Sequence, residues 1–283
     1  MRNKLPTLVL LSLLSLNGTS SFAAVNKNPM TFSYDEYAPS VYSNKMAVIN
    51  WNSEEGIKRF ESSKYKGDFF RLAHHYKPQQ QFSTCGIASA VVVMGAIYEQ
   101  QGKKFPLLKS IPLAINGQAF AVEYRIINEE NFYNEATDKI VDRRAIVMQY
   151  PKDVKTGQFA GGIDMDELSK MFKVHNVKSK IFYVDSVSDE KITKFRDQLK
   201  EILIDKNRFI IANSHRGYQG IEMGGHYSPI VAYDEASDSV LYLDIAAHRN
   251  PWIWIKLEDL YKSMNSKNYS GKNYRGYMVV SVK

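Results

Sequence analysis

The chain has little of what marks several common classes of protein. With one cysteine in 283 residues, it can form neither an internal disulfide nor a cysteine-rich metal site. No run of five like charges occurs, so no segment is typical of a nucleic-acid-binding tail. Glycine-rich phosphate loops, dinucleotide-binding fingerprints, nucleophilic-serine elbows and His-Glu-x-x-His pairs are also absent. These absences leave a small set of chemistries to consider.

What is present is the composition of a globular protein. Hydrophobic residues make up 44% of the chain and charged residues 24%, a balance that excludes disordered and collagen-like classes. The length allows one large domain or two small ones. The net charge of +7 is mild and spread along the chain, which suits a small acidic substrate and plain solubility equally well.

The N-terminus has the pattern of a secretory signal peptide. Arg2 and Lys4 precede an apolar run at residues 5–16, and small residues follow it as far as Ala23 and Ala24. The run is well short of the roughly 20 residues that a membrane-spanning helix needs. No cysteine follows it, which excludes a lipoprotein anchor. We therefore predict cleavage near Ala23 and an exported, soluble mature protein, with an uncleaved membrane anchor as the alternative.

The periodicity of the remaining chain predicts helices first and antiparallel strands later. Predicted helices cover residues 54–62, 85–101, 129–139, 163–172 and 189–204. Predicted strands cover residues 181–184, 209–213, 226–233, 239–245 and 277–282, and 252–255 would add another. This order favours the α+β class, with one lobe of helices and one of antiparallel sheet.

The lone cysteine, Cys85, lies at the start of the most apolar predicted helix. Exported proteins usually pair their cysteines, so an odd one indicates either a reactive thiol or an inert buried side chain. Ser83 or Thr84 can cap this helix, and the aligned peptide dipoles at its N-terminus favour the thiolate. The position therefore favours the reactive thiol.

One of the six histidines, His226, has a predicted carboxylate neighbour. If the hairpin formed by the strands at 226–233 and 239–245 turns about Glu235, His226 and Asp244 are directly opposed, with Cβ atoms about 4.5–5.5 Å apart. A register slip of one residue would separate them, and Asp244 would then be an ordinary turn former at a strand end. A carboxylate beside an imidazole fixes its tautomer and stabilises its protonated form.

These residue types together indicate nucleophilic acyl transfer. A thiol activated by an imidazole that is held by a carboxylate is the Cys–His–Asp form of that chemistry. Gln79, six residues before Cys85, could join the Cys85 backbone N–H in holding an oxyanion. The alternative for Gln79 is one of three successive glutamines in a polar loop.

Several segments, in this order, resemble phytochelatin synthases. They are Phe70-Arg71-Leu72, Gln79, Cys85-Gly86-Ile87-Ala88-Ser89, His215-Arg216-Gly217, Gly225-His226-Tyr227-Ser228-Pro229-Ile230, Leu243-Asp244-Ile245-Ala246 with Pro251, and Arg275-Gly276-Tyr277-Met278. The resemblance covers residues 70–282 and is looser between 102 and 207. It implies a papain-like fold, in which a helical lobe carries the cysteine and an antiparallel sheet lobe carries the histidine and aspartate. The papain cysteine signature itself is absent, because Ile87-Ala88-Ser89 follow Cys85-Gly86.

The resemblance implies cleavage of glutathione. Cys85 would attack the Cys–Gly peptide bond, His226 would protonate the departing glycine, Asp244 would orient His226, and Gln79 would share the oxyanion hole. The γ-glutamylcysteinyl enzyme would then pass its acyl group to water or to a second glutathione, which gives γ-glutamylcysteine or a phytochelatin.

The same resemblance implies a binding site, and together with the signal-peptide pattern it gives a domain plan and a location. Asn213, Gly225 and Arg275 would hold the γ-glutamyl end of the substrate, and a guanidinium such as that of Arg275 matches a carboxylate. The implied plan is a signal peptide at 1–23, an arm at 24–66 and a phytochelatin synthase-like catalytic domain at 67–283. The bacterial periplasm is the expected location. The sequence leaves the oligomeric state open, and a homodimer is compatible with it.

Departures from the plant pattern favour hydrolysis over chain extension. Ala247 stands where plant-type enzymes carry an arginine, Pro78 stands where they have threonine, and a cysteine-rich C-terminal half is absent. No tightly bound cofactor or metal is implied, and cadmium or zinc would enter as a thiolate complex of glutathione. Two other functions stay open: a papain-like peptidase acting on another peptide, and a non-catalytic binding protein. No nucleic-acid partner is expected.

Overall fold

A computed structural model describes residues 48–147, 151–153, 158–159, 162–219, 224–248, 251–268 and 270–282. The predicted signal peptide and the predicted arm as far as residue 47 lie outside these ranges, so cleavage near Ala23 stays a prediction. In the part of the chain that is described, no helix combines the length and the hydropathy needed to cross a membrane.

The described helices are α1 (Glu54–Ser62), α2 (Gly67–Ala73), α3 (Cys85–Gln100), α4 (Glu129–Phe132), α5 (Glu135–Asp138), α6 (Arg143–Val147), α7 (Met165–Val174), α8 (Asp189–Ile204) and α9 (Leu257–Met264), with a 3-10 turn at Arg216–Gln219. The described strands are β1 (Ile49–Asn50), β2 (Leu107–Ile115), β3 (Gln118–Arg125), β4 (Pro151–Asp153), β5 (Gln158–Phe159), β6 (Lys178–Tyr183), β7 (Arg208–His215), β8 (Gly225–Asp234), β9 (Ser239–Tyr242), β10 (Ile253–Lys256) and β11 (Gly276–Ser281). The predicted helices α1 and α8 have the expected bounds, whereas α2 and α9 were not anticipated.

An antiparallel sheet of seven strands forms the centre of the fold, in the order β1-β10-β9-β8-β7-β11-β6. The α+β class is therefore confirmed. The expectation of one helical lobe beside one sheet lobe was incomplete, because helices cover both faces of this sheet. Phe209 and Ile211 of β7 pack with α3 and α7, while Ile210 and Ala212 pack with α8 and α9. Strands that are apolar on both faces must be covered on both faces.

The end of the predicted arm that is described belongs to this sheet. Strand β1 pairs with β10, and the Trp254 indole donates to the carbonyl of Gly56 at 3.0 Å. A Cβ at Gly56 would come 2.1 Å from the carbonyl oxygen of Asn50, so only glycine allows α1 to lie this close to β1. The Ser53 hydroxyl accepts from the Gly56 N–H at 3.1 Å and caps α1.

A long two-stranded ribbon formed by β2 and β3 was not predicted. Asn116 and Gly117 connect its strands, and both have positive φ, at 50° and 77°. Asn-Gly between alternating apolar residues is a strong signal for such a turn, so the sequence did contain the information. One face of the ribbon exposes Ile111 and Leu113 of β2 opposite Val122 and Phe120 of β3.

Candidate active site

Cys85 is the first residue of α3, a helix whose residues 86–97 are all buried. The helix packs against β8, the central strand of the sheet, which brings the half-buried thiol next to His226 and Tyr227 near the start of that strand. Thr84 occupies the N-cap position as expected, but its hydroxyl bonds to the backbone of Gln81 and does not cap the helix. The reason is that the residues before α3 form a tight turn, which uses the threonine side chain.

Three groups, in addition to burial, act on the Cys85 thiol. Burial raises its pKa, but a hydrogen bond and the charge of His226, together with the backbone N–H groups of Tyr227 and Gly86, lower it below the usual value. The net direction is downward, so the site stabilises a thiolate. This agrees with the reactive thiol that the sequence favoured.

A segment before α7 closes one side of this site. Ile163 packs on Gly86 so tightly that a Cβ at Gly86 would lie 2.7 Å from the Ile163 methyl carbon Cγ2. The Tyr227 hydroxyl donates to the Ile163 carbonyl at 2.9 Å, which ties the segment to β8. Glycine after the cysteine is therefore required by packing, because any larger residue would push this segment away.

His226 lies between Cys85 and Asp244 and is buried. Its Nε2 atom is 2.9 Å from Oδ1 of Asp244 and 3.2 Å from the Ser228 hydroxyl, which leaves Nδ1 for the thiol. Burial lowers the pKa of His226, but the charge and hydrogen bond of Asp244 and the contact with Cys85 raise it to about 9. A thiolate–imidazolium pair is the protonation state that these shifts favour.

The predicted register of the β8–β9 hairpin was wrong, although the two side chains do meet. Asp234 pairs with Ser239, so the hairpin turns about residues 236 and 237 and not about Glu235. The register then shifts at a bulge between Ile230 and Ala232. Asp244 lies beyond the end of β9, where Leu243 still donates to the Pro229 carbonyl at 2.9 Å.

Three donors hold the buried carboxylate of Asp244. Oδ1 accepts from His226 and, at 2.8 Å, from the N–H of Ala246, while Oδ2 accepts from Nη2 of Arg216. Burial raises the pKa of Asp244, but the charges of His226 and Arg216 and the hydrogen bonds lower it below the usual value. The carboxylate is therefore ionised.

Gln79 lies beside the site in a geometry that the sequence did not anticipate. Its backbone N–H donates to the Ile245 carbonyl at 2.9 Å, next to Asp244. Its side-chain nitrogen, however, donates to the carbonyls of Gln81 and Phe82, at 2.8 and 3.0 Å. Both amide hydrogens are thus used within the turn before Cys85.

The three predicted substrate-binding residues lie near the start of β8. Asn213 of β7 pairs with Tyr227 on one side and with Gly276 of β11 on the other. The buried guanidinium of Arg275 lies against Gly225, where a Cβ would come 2.7 Å from its Nε and Nη2 atoms. Arg275 also donates to the Ser266 hydroxyl at 3.1 Å. The structure thus brings Gly225 and Arg275 into contact, one strand away from Asn213.

Sequence reasoning gave no role to Arg216, Ser228 or His215. Arg216 and Ser228 bond to the charged pair, and both are almost fully buried. Burial and the charge of Arg275 lower the pKa of His215 to about 4, so it is neutral. All three belong to segments that carried the resemblance, but a buried arginine looks like an exposed one in a sequence. In the described ranges, no group of three or more His, Cys, Asp or Glu side chains could hold a metal ion.

Comparisons with known proteins give one consistent family. A family model described as Phytochelatin synthase matches residues 42–277. The chain is 25% identical over 237 residues to glutathione gamma-glutamylcysteinyltransferase 1 of Arabidopsis thaliana, covering 83% of this chain and 42% of that protein. It is 23% identical over 237 residues to glutathione gamma-glutamylcysteinyltransferase 3 of Lotus japonicus, with the same shares. The chain therefore spans less than half the length of these relatives.

Among solved structures, that of the interpain A cysteine protease of Prevotella intermedia is similar with a TM-score of 0.32 and 12% identity. The similarity covers 76% of this chain and 90% of that one.

Proposed function

Since the chain belongs to the phytochelatin synthase family, we propose that it is a thiol-dependent acyltransferase that takes its acyl group from glutathione. The observation that carries the proposal is the buried imidazole of His226, held by Asp244 and bonded to the Cys85 thiol. These three groups supply a nucleophile, a proton donor and a carboxylate that orients the donor.

The first half-reaction forms an acyl-enzyme. The Cys85 thiolate attacks the carbonyl carbon of the Cys–Gly peptide, and a carbon–sulfur bond forms as the carbonyl oxygen becomes an oxyanion. The carbon–nitrogen bond then breaks, and His226 gives its proton to the leaving nitrogen, so that glycine departs. A γ-glutamylcysteinyl thioester on Cys85 is left, and His226 is neutral. In this state His226 can accept a proton from the next nucleophile.

The second half-reaction transfers the acyl group to water or to the amine of a second glutathione. We propose that water is favoured, because Ala247 and the preceding residue, the buried Ala246, place no cation directly after Asp244 for an anionic acceptor. Cadmium or zinc would act as a thiolate complex of glutathione. The products would be γ-glutamylcysteine and glycine, with phytochelatin as the minor product.

Binding of the oxyanion and of the γ-glutamyl group would draw on groups around the site. The Cys85 backbone N–H would donate to the oxyanion, and Gln79 would join it only by exchanging one of its present bonds to Gln81 or Phe82. Arg275 would bind the α-carboxylate of the γ-glutamyl group, since its buried guanidinium lies against Gly225 at the start of the strand that carries His226. Asn213 of β7 pairs with Gly276, the residue that follows Arg275.

The direct test is mass spectrometry of the products formed from glutathione, with and without cadmium. The wild type should release glycine and γ-glutamylcysteine, Cys85→Ser should release neither, and His74→Gln, which changes an exposed histidine, should match the wild type. Detection of (γ-Glu-Cys)₂-Gly as the main product would overturn the preference for water.

Two further results would overturn the proposal as a whole. Cleavage of α-linked peptides with glutathione left intact would indicate a peptidase. A folded protein that yields no product from either substrate class would indicate a binding protein.

We also propose export to the periplasm, for which the N-terminal sequence of protein recovered from a periplasmic extract should begin at Ala24 or Val25.

A further inference from the structure

The buried ion pair between Arg216 and Asp244 lies behind the proposed nucleophile and acid. Nη2 of Arg216 donates to Oδ2 of Asp244, on the side away from His226, which bonds to Oδ1. The exposed fraction is 1% for the Arg216 side chain and 0% for that of Asp244. Two buried charges of this kind are costly to desolvate, so a contribution to stability alone is a weak reason for their presence.

Four side chains, those of Cys85, His226, Asp244 and Arg216, form a line of alternating charge. In the favoured state, Cys85 is negative, His226 positive, Asp244 negative and Arg216 positive, and the line is neutral as a whole. The alternation is lost during the reaction, because Cys85 loses its charge when it becomes a thioester and His226 becomes neutral when it gives its proton to the departing glycine. Asp244 would then be a buried anion without its imidazolium partner, which is a strongly unfavourable state.

Arg216 can stabilise the Asp244 carboxylate while His226 is neutral. A guanidinium keeps its charge throughout the accessible pH range, so its charge does not follow that of His226. We propose that Arg216 is a positioning residue, which keeps Asp244 ionised and turned toward His226 in every protonation state of the histidine. Its positive charge also stabilises the Cys85 thiolate at the far end of the line. Arg216 acts through Asp244 and has no contact with the reacting bond.

The tyrosines packed around these four side chains do not titrate in the pH range of interest. Tyr76 donates to the Asp244 carbonyl, and Tyr242 of β9 and Tyr227 of β8 lie beside the charged groups. Burial raises the pKa of all three tyrosines, so they are neutral at the pH values of interest. Ser228 carries no charge, and the charged groups outside the line that act on Tyr227 are Arg275, Asp164 and Glu167. The rate of thiol modification therefore reports the charges within the line.

The local fold explains how Arg216 reaches this place. Strand β7 ends at His215, and Arg216 begins the 3-10 turn that follows it, with its backbone N–H donating to the Gly224 carbonyl at 2.9 Å. Because Ser214 pairs with His226, Arg216 lies just beyond the end of the ladder that positions the histidine. One hairpin thus supplies both side chains that bond to the Asp244 carboxylate.

The test measures alkylation of the Cys85 thiol by iodoacetamide against pH, because this reaction needs no substrate. Arg216→Gln removes the charge and keeps a hydrogen-bond donor, and we expect it to raise the midpoint of the alkylation profile by about one pH unit. Arg216→Lys keeps the charge, and its midpoint should stay close to that of the wild type. The matched control is Arg196→Gln, which breaks the Arg196–Asp238 pair at the far end of β8.

The alkylation profiles decide the proposal. An unchanged midpoint in folded Arg216→Gln, or equal shifts in the Gln and Lys variants, would overturn it, since the charge would then have no separate effect. Failure of the Lys variant to fold would also contradict it, because the role would then lie in folding. A shift in Arg196→Gln as large as that in Arg216→Gln would mean that the effect is not specific to the site.

A kinetic measurement extends the test and rests on the proposed function. With glutathione, Arg216→Gln should lower kcat about tenfold and leave KM unchanged, because a residue that acts through Asp244 affects the chemical step and not substrate binding. A rise in KM with kcat unchanged would assign Arg216 to binding and contradict the proposal. If neither the wild type nor any variant acts on glutathione, the proposed function fails, but the alkylation result still stands.

Discussion

Asp244 reaches His226 diagonally across the hairpin and not from the opposed position. Near the turn, Asp234 of β8 pairs with Ser239 of β9. If this register continued along the hairpin, Asp244 would lie opposite Pro229, on the other face of the sheet from His226. The bulge after Ile230 adds one residue to β8 and restores the face, so that Asp244 lies level with Ser228. The 2.9 Å contact between Nε2 and Oδ1 therefore depends on one extra residue in a strand.

The thiol of Cys85 should react faster than free cysteine near neutral pH. His226 lowers the pKa of the thiol, while burial alone would raise it. We expect the midpoint of the alkylation profile to lie below the usual cysteine range of about 8.5. His226→Gln should move it above that range, because only burial and weak dipoles remain. His74→Gln is the control, and equal midpoints in all three proteins would contradict the pairing.

Asp244→Asn should lower the pH at which activity is lost on the alkaline side. Asp244 raises the pKa of His226 to about 9, so its neutral replacement moves this limb downward. We expect kcat/KM to fall by at least about 100-fold, because the imidazole loses its orienting partner. Rates over pH 5 to 10 would measure both effects. Asp238→Asn, which alters the Arg196–Asp238 pair away from the site, should keep the wild-type profile.

The free energy of unfolding should depend on the protonation of His226. Its folded pKa, about 9, lies above the unfolded value near 6.5, so its contribution is fully present below pH 6.5 and is lost as the pH rises through 9. Chemical denaturation at pH 6 and pH 10 should show a loss of a few kcal/mol at most. His226→Gln should lack this component, and an identical pH dependence in the variant would mean that other groups cause it.

Gly86→Ala should displace the segment that Ile163 anchors. The added methyl would lie 2.7 Å from Ile163 Cγ2, closer than packed carbons allow. We expect a loss of about 1–3 kcal/mol in the free energy of unfolding, measured by denaturant titration. In an Ile163→Ala background the same change should cost less, since the clashing carbon is gone. Equal costs in both backgrounds would show that the strain lies elsewhere.

The sequence by itself identified the family of this protein and predicted most of its elements. Helical and strand periods are local properties, so α1 and α8 could be predicted with their bounds, and the motif order identified Cys85, His226 and Asp244 as one set. The missed ribbon of β2 and β3 was also available locally, from Asn116-Gly117.

Only the tertiary structure decided how these residues meet. The bulge that returns Asp244 to the face of His226, the burial of Arg216 beside it and the turn that uses the Gln79 amide all depend on pairings between distant segments. A strand period of two says which residues share a face only after the register is known, and one inserted residue reverses it. Burial likewise depends on what packs above a residue, which is why the sequence does not reveal that Arg216 is buried against the carboxylate of Asp244.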